Sequence, residues 1–209
     1  MIPVDVILLF IAASAALSVA PGPDNLFVLT QSALHGRRTG LIITLGLCSG
    51  LLFHISAVAL GVAAILKSSA LAFNLLKMAG AGYLLYLAWK SFTARPSDIS
   101  GPDQANTSGL RLYARGIVMN ITNPKVAIFF LAFLPQFTDP ARGPVPQQVM
   151  LLGLLFMLTA LVIFGLIAWA ASLIGAWLKQ SDRAQQLINR IAGGIFVALA
   201  CRLAFSSNR

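Results

Sequence analysis

The sequence predicts an all-α, polytopic membrane protein of six transmembrane helices, arranged as two inverted repeats of three helices each. Hydrophobic residues make up 58% of the 209 residues and charged residues only 10%, whereas soluble domains are about 45–50% apolar and about 25% charged. Six segments reach the ~20 apolar residues that span a bilayer, and the two halves share short motifs in the same order. The segments are Val4–Leu34, Gly40–Leu66, Ala70–Trp89, Gly116–Phe137, Val149–Leu178 and Leu187–Phe205.

The basic residues predict how these segments cross the membrane. The chain has 15 Lys and Arg against six Asp and Glu, with a net charge of +9, a balance that could suggest a nucleic-acid partner. The basic residues lie mostly in short loops, however, and they are most frequent after the first, third and fifth segments. The positive-inside rule therefore places those loops in the cytoplasm and both termini outside, and no nucleic-acid partner is expected.

A polar stretch rich in Pro, Gly and Ser lies at the midpoint of the chain and has the composition of a linker. It predicts a first three-helix repeat over 1–94, a cytoplasmic linker over 95–114 and a second repeat over 115–209, all within one integral membrane domain. The halves share matched residues: Pro23 with Pro124, Gly46 with Gly153 and Gly80 with Gly193. With three helices per repeat, the second copy enters from the opposite side, an architecture of transporters whose site lies near the midplane.

The first segment is too long for one straight span, and Pro21, Gly22 and Pro23 interrupt it. Proline has no backbone N–H and moves the preceding residue out of the helical region, so this run predicts a broken helix. Pro23 suits the first position of a restarted helix, with Asp24 and Asn25 in its first turn. Backbone groups freed by a break cannot face lipid. The alternative interpretation is a simple kink without a function.

The fourth segment carries a second predicted break, with Asn123 as the N-cap and Pro124 as the first residue of the restarted helix. Asn120 and Thr122 precede this break and add neutral hydrogen-bonding groups, although each could instead bridge two helices. Because the repeats are inverted, we expect the two restarted N-termini to approach the midplane from opposite sides. Their amides and positive dipole ends would suit a carboxylate there.

Asp24 and Lys125 are the strongest functional candidates. A charge near the centre of a span costs about 2.5–3.5 kcal/mol on insertion scales, so both side chains need a partner. One interpretation is a structural ion pair between them. The other is a binding site in which Lys125 meets a substrate carboxylate while Asp24 meets an ammonium or carries a proton. A pair that opens during transport would combine both.

Other polar and small residues carry weaker signals. Gln31 follows the first break, and a lone membrane histidine such as His54 is more often hydrogen-bonded between helices than a proton relay. Two glycine pairs predict close helix packing; they are Gly80 with Gly82 and Gly193 with Gly194.

Three runs of the sequence resemble motifs of a known family. They are the run from Ala20 to Asp24, the run from Asn123 to Lys125 with Phe129 and Phe130 after it, and the run from Gly80 to Trp89. With these motifs, essentially the whole chain resembles the LysE/RhtB amino-acid exporters. The resemblance implies a secondary transporter in the bacterial cytoplasmic (inner) membrane, not an enzyme. It also implies export of amino acids or close derivatives driven by the proton gradient, a homo-oligomer, and a substrate path past the aspartate and lysine of the two breaks.

The expected partners are therefore a small amino acid, protons and membrane lipid. Few acidic residues lie in the spans, which favours a neutral or homoserine/threonine-type substrate over a strongly cationic one. Asp24 is the candidate for proton coupling, because its protonation would compete with binding of the substrate ammonium.

The residues support two other functions less well than amino-acid export. A metal-cation exporter of the same superfamily would need several oxygen or softer ligands, and Asp24 is the only clearly intramembrane carboxylate. A transmembrane disulfide carrier would need a cysteine pair beside the breaks, whereas Cys48 and Cys201 lie in the second and sixth segments. No metal site, disulfide or cofactor is expected.

Overall fold

A computed structural model describes residues 2–20, 22–68, 70–93 and 108–180, together with isolated positions between 186 and 201. Every regular element in this part of the chain is helical. The α-helices are α1 Val4–Val19, α2 Pro23–His35, α3 Arg37–Ser68, α4 Ala70–Thr93, α5 Gly109–Ile121, α6 Pro124–Ile128 and α7 Val145–Gln180. Between α6 and α7 lie a π-helical turn, Phe129–Phe133, and two 3₁₀ turns, Leu134–Phe137 and Pro140–Arg142.

The first five predicted segments are confirmed as helical, with shifted ends. The fourth begins earlier than expected, because α5 starts at Gly109, inside the region assigned to the linker, with Ser108 as its N-cap. The rest of that linker, Pro21 and most of the sixth segment lie outside the described residues.

The described helices are consistent with a membrane protein. Parts of α3 and α7, Arg37–Gly61 and Val145–Leu173, are long and apolar enough to cross a bilayer. The pairs α1–α2 and α5–α6 (with the turns that follow α6) each meet the same test when counted as one bent span. This part of the chain therefore holds two candidate spans, or four if each bent pair counts as one.

Helix α3 is central to the fold and packs against both α5 and α7. Any Cβ on Gly46 would collide with the Tyr113 carbonyl, and one on Gly116 would lie 2.6 Å from the Ile43 carbonyl oxygen. These two glycines let the α3 and α5 backbones touch, as small residues do in membrane interfaces. Gly50, one turn further along α3, gives Asn120 the same close approach.

The contact between α3 and α7 is antiparallel. Gly40 lies against Ala168 at one end, and Gly153 lies against Ile55 at the other. Of the glycines predicted to pack closely, Gly193 lies against the Phe92 ring, whereas Gly82 and Gly194 have open space where a side chain would begin.

A buried aromatic cluster follows α6. The wider π-helical turn directs Phe129, Phe130 and Phe133 into the core together. Phe10 of α1 lies 5.1 Å from Phe137 between ring centroids, and Phe156 of α7 lies 5.0 Å from Phe130. This cluster ties both halves of the chain together next to the second break.

Candidate functional site

The first bent pair breaks where the prolines predict. Helix α1 ends at Val19 and α2 begins at Pro23, with their axes bent by 62°. Gly22 occupies the N-cap position, and no side chain caps the start of α2. Asp24 lies in the first turn of α2, as the sequence predicts.

The second bent pair breaks by 49° between Ile121 and Pro124. Asn123 is the N-cap, and its Oδ1 accepts a hydrogen bond from the Lys125 N–H at 3.0 Å, which confirms the predicted cap. The Val126 and Ala127 N–H groups donate to the Asn123 carbonyl. The amides at the start of α6 are therefore occupied by local hydrogen bonds.

The Lys125 ammonium joins the two breaks. Its Nζ lies 3.2 Å from Asp24 Oδ1, 3.2 Å from Asn25 Oδ1, 3.2 Å from the Leu17 carbonyl and 3.1 Å from the Ala20 carbonyl. All four acceptors belong to the break between α1 and α2. An ammonium has three protons to share among these four oxygens, so one side chain of the second break donates to the acceptors of the first.

Proline chemistry explains why the Leu17 carbonyl is open. In a continuous helix the Leu17 carbonyl would accept from residue 21 and the Val19 carbonyl from residue 23. Both positions are proline and have no N–H. The Leu17 oxygen is therefore left for another donor, and Lys125 supplies it from more than a hundred residues away in the sequence.

The ion pair is buried. Asp24 and Lys125 are 3% and 4% exposed, and the pair is reinforced by Asn25, whose Nδ2 donates to the Ser18 carbonyl while its Oδ1 accepts from Lys125. In a low-dielectric interior an unpaired charge costs far more than a paired one. The two charges therefore depend on each other for burial.

Gly22 makes room for the pair. An added Cβ would lie 2.6 Å from Asp24 Oδ1, closer than side-chain carbons approach such atoms, and in tight contact with Lys125 Nζ at 3.0 Å. The glycine of the first break therefore has a steric role at the site in addition to ending a helix.

A small cavity of about 10 Å³ adjoins the pair, enough for about one water molecule. Apolar side chains of α3 and α7, such as Leu51 and Phe164, line it together with Ser18 and Asn120. Pockets for small organic ligands measure about 300–1,000 Å³. The site is therefore closed in this structure and has no room for a small organic molecule beside the pair.

The remaining predicted site residues divide into two groups. Asn25 joins the cluster, and Asn120 and Asn123 are buried beside it. Among the described residues, Asn120 Oδ1 and Asn123 Nδ2 have no hydrogen-bond partner. Thr122 is exposed, and its hydroxyl donates to the Val118 carbonyl at 2.8 Å. The structure does not bring Thr122 to the pair, because the turn at the break directs its side chain away from α1 and α2.

Three groups at the site were not predicted from the sequence. They are the Leu17 and Ala20 carbonyls and the Ser18 hydroxyl, which is buried without a hydrogen-bond partner and lines the cavity. The proline motif could have identified Leu17, since residue 21 cannot donate to it. Ser18 carries no sequence signal, because serine is common in helices that pack against each other.

His54 supports the second break from α3. Its Nε2 donates to the Asn120 carbonyl at 3.2 Å, and its ring lies between those of Phe53 and Phe130. Pro124 cannot donate to that carbonyl, so the histidine bonds between helices as the sequence suggests. Gln31, about two turns after Asp24 in α2, is 1% exposed, and its Oε1 has no hydrogen-bond partner among the described residues.

Within the described residues, no group of three or more His, Cys, Asp or Glu side chains could hold a metal ion. Cys48 is buried and Cys201 exposed, and both are free thiols. Cys48 lines the small cavity beside the ion pair, but it is not joined to Cys201.

Comparison with known proteins bears on the family of the chain. A family model described as LysE type translocator matches residues 15–207. The chain is 33% identical to a homoserine/homoserine lactone efflux protein of Salmonella typhimurium, over 93% of this chain and 94% of that protein. It is 27% identical to a leucine efflux protein of an Enterobacter species, over 89% of each chain. An uncharacterized membrane protein of Vibrio cholerae is 32% identical over 96% of this chain and 97% of its own. No solved structure matches the chain.

Proposed function

The chain belongs to the LysE type translocator family, and from this premise we propose that it exports neutral amino acids or close derivatives across the cytoplasmic membrane. Relatives named as homoserine and leucine efflux proteins support the substrate class. The observation that carries the proposal is the buried Asp24–Lys125 pair at the meeting point of two helix breaks. Buried ionisable residues in membrane segments mark substrate or ion pathways.

The pair has the chemistry to bind a zwitterion. A substrate carboxylate would replace Asp24 as the anion beside Lys125, and the substrate ammonium would replace Lys125 as the cation beside Asp24. Asn25, which already bonds to both the lysine and the Ser18 carbonyl, would orient the ammonium. Because each charge exchanges one partner for another, neither is left unpaired when substrate binds.

The surroundings of the pair favour a neutral side chain on the substrate. The cavity is lined mainly by apolar groups, with Ser18 and Asn120 as its uncharged polar members. Their unpartnered oxygens could accept a hydrogen bond from a hydroxyl. A homoserine- or threonine-type side chain uses them, and an aliphatic side chain uses the apolar wall.

Transport requires the closed state to open on alternate sides. We propose six spans in two inverted repeats, with both termini outside, so that one repeat moves against the other around the ion pair. One contact that must change is that between Lys125 and the first break, because Lys125 belongs to the second half and its acceptors to the first.

Proton antiport would follow from competition at Asp24. When Asp24 is protonated it no longer attracts the substrate ammonium, so proton entry from outside would favour substrate release. Efflux from proteoliposomes tests this coupling: collapse of the pH gradient with an ionophore is expected to reduce export of homoserine, and unchanged export would contradict it.

The site itself is tested by paired substitutions in the full-length protein. Asp24→Asn is expected to reduce efflux of homoserine and leucine at least tenfold while membrane abundance stays near that of wild type. The matched control is Asp139→Asn, since Asp139 and Arg142 form an exposed ion pair at 2.9 Å in the turn before α7. Equal flux for the two variants would show that the buried pair is structural.

Homoserine lactone provides a sharper test of how the substrate is oriented. It retains the ammonium of homoserine but has no carboxylate. If Lys125 binds the carboxylate, the lactone is expected to be exported less well than homoserine. A Lys125→Gln substitution would then reduce efflux of homoserine more than efflux of the lactone. Equal losses for both compounds would place the carboxylate elsewhere.

A further inference from the structure

We propose that a groove between α3 and α7 binds an anionic phospholipid, with an acyl chain in the groove and the headgroup phosphate at Arg37. The groove has a volume of about 640 Å³, within the range of pockets that hold organic ligands. It lies on the outer surface of the helices, separate from the ion pair.

Two rows of side chains form the groove. On α3, Leu41 lies one turn beyond Arg37, and on α7 the residues Leu161, Val162 and Leu166 lie opposite. These apolar side chains are exposed, with Val162 at 60% and Leu166 at 58%. Gly165 deepens the groove between them, because the nearest atom to an added Cβ is a Leu41 methyl carbon 4.0 Å away.

One end of the groove is polar and positive. Arg37 begins α3 and is exposed, and Arg38 follows it. The acidic residues in the described part of the chain are Asp5, Asp24 and Asp139, and none of them lines the groove. Trp169 lies at the same end and is 53% exposed. Tryptophan side chains prefer the level of the lipid headgroups.

This arrangement of apolar and charged groups favours an anionic phospholipid as the occupant of the groove. An acyl chain matches the apolar length between the helices, while a phosphate matches the arginine at the end. A helix N-terminus carries partial positive charge that adds to the attraction for an anion. Basic pockets between membrane helices bind anionic headgroups for the same reason, and a zwitterionic lipid would gain less.

The groove also lies directly over the junction of three helices. Gly40, three residues after Arg37, contacts Ser32 of α2 and Ala168 of α7. A lipid held across α3 and α7 would therefore brace the end of α2, the helix whose other end carries Asp24. Bound lipid is expected to stabilise this closed arrangement.

Native mass spectrometry of the purified full chain tests the proposal, with phosphatidylglycerol or phosphatidylcholine of identical acyl chains as the probe. Wild-type protein is expected to retain phosphatidylglycerol in preference. Gly165→Leu fills the groove and is expected to abolish this preference, while Gly82→Leu, at another open glycine, leaves it unchanged. Arg37→Gln is expected to weaken phosphatidylglycerol retention about fivefold, the contribution of one basic side chain near an anionic surface.

Several results would overturn the proposal. Equal retention of the two lipids by the wild type would show that there is no headgroup site. The same would follow if Arg37→Gln retained phosphatidylglycerol as well as Arg142→Gln at the exposed turn. If Gly165→Leu changes the oligomeric state and not lipid retention, the groove is occupied by a second copy of the chain. Thermal melting of each variant shows that losses do not come from unfolding.

Discussion

The two helix breaks look alike in sequence and differ in how their backbone is satisfied. At the second break the backbone N–H groups bond locally: Asn123 caps Lys125, and the Thr122, Asn123, Val126 and Ala127 N–H groups all bond within the turn. The Asn120 carbonyl accepts from another helix, through His54 of α3. The first break has no side-chain cap, and two of its carbonyls accept from Lys125. The amides of the second break are satisfied within its own turn, whereas two carbonyls of the first break are satisfied by a side chain of the second.

This difference assigns separate roles to the two halves. Because its N–H groups bond within the turn, we expect the second break to change shape less than the first if the halves separate, and so to hold Lys125 in place. The first break must exchange Lys125 for water or substrate whenever the contact opens, because its buried carbonyls require a donor. We therefore expect the α1–α2 break to be the more mobile of the two during transport.

The largest effect is expected from Lys125→Met, which keeps side-chain bulk and removes the donor. It leaves Asp24 without a cation and the Leu17 and Ala20 carbonyls without their partner, so a loss of about 3–5 kcal/mol is expected. Thermal unfolding in detergent measures this loss. Asp24→Asn should cost clearly less, because Lys125 keeps three acceptors. Equal losses would mean that the charge pair matters and the carbonyls do not.

A smaller loss, about 1–3 kcal/mol, is expected from Gly22→Ala, since the new methyl group collides with both members of the ion pair. Efflux should fall with stability, because the pair must move apart to accommodate the methyl. Gly82→Ala is the matched control: its position is open, and alanine favours a helix. A stable, active Gly22→Ala variant would show that the first break is looser than the closed structure indicates.

Asn123→Ala removes the cap of the second break and is expected to cost about 1 kcal/mol. Its effect on flux should exceed that of the exposed cap variant Ser108→Ala, whose hydrogen bond to Arg111 N–H is long at 3.4 Å. Melting temperature and efflux of the two variants are compared side by side. Identical behaviour would contradict the idea that a rigid second break positions Lys125.

The smallest effect is expected from Thr122→Ala. Thr122 is exposed and bonds only within its own turn, so stability should change by less than about 0.5 kcal/mol and efflux should be unchanged. Asn120→Ala, at the neighbouring buried position, is expected to reduce efflux. A transport defect in Thr122→Ala would extend the site to a surface that the closed structure leaves outside it.

Much of the site was predictable because it depends on local backbone chemistry. Proline lacks an N–H and asparagine caps a helix wherever they occur, so the two breaks, the Asn123 cap and the first-turn position of Asp24 follow from neighbouring residues alone. The apolar segments were predictable for a similar reason, since the bilayer sets the length of a spanning helix.

Only the tertiary structure decided what those local features meet. Whether Lys125 reaches the Leu17 carbonyl, whether Thr122 faces inward, and whether Gly46 or Gly82 makes a close helix crossing all depend on contacts between residues far apart in sequence. Such contacts are set by how helices pack and not by the residues next to each position. The sequence by itself determined that the chain breaks two membrane helices beside opposite charges; packing determined that one break completes the other.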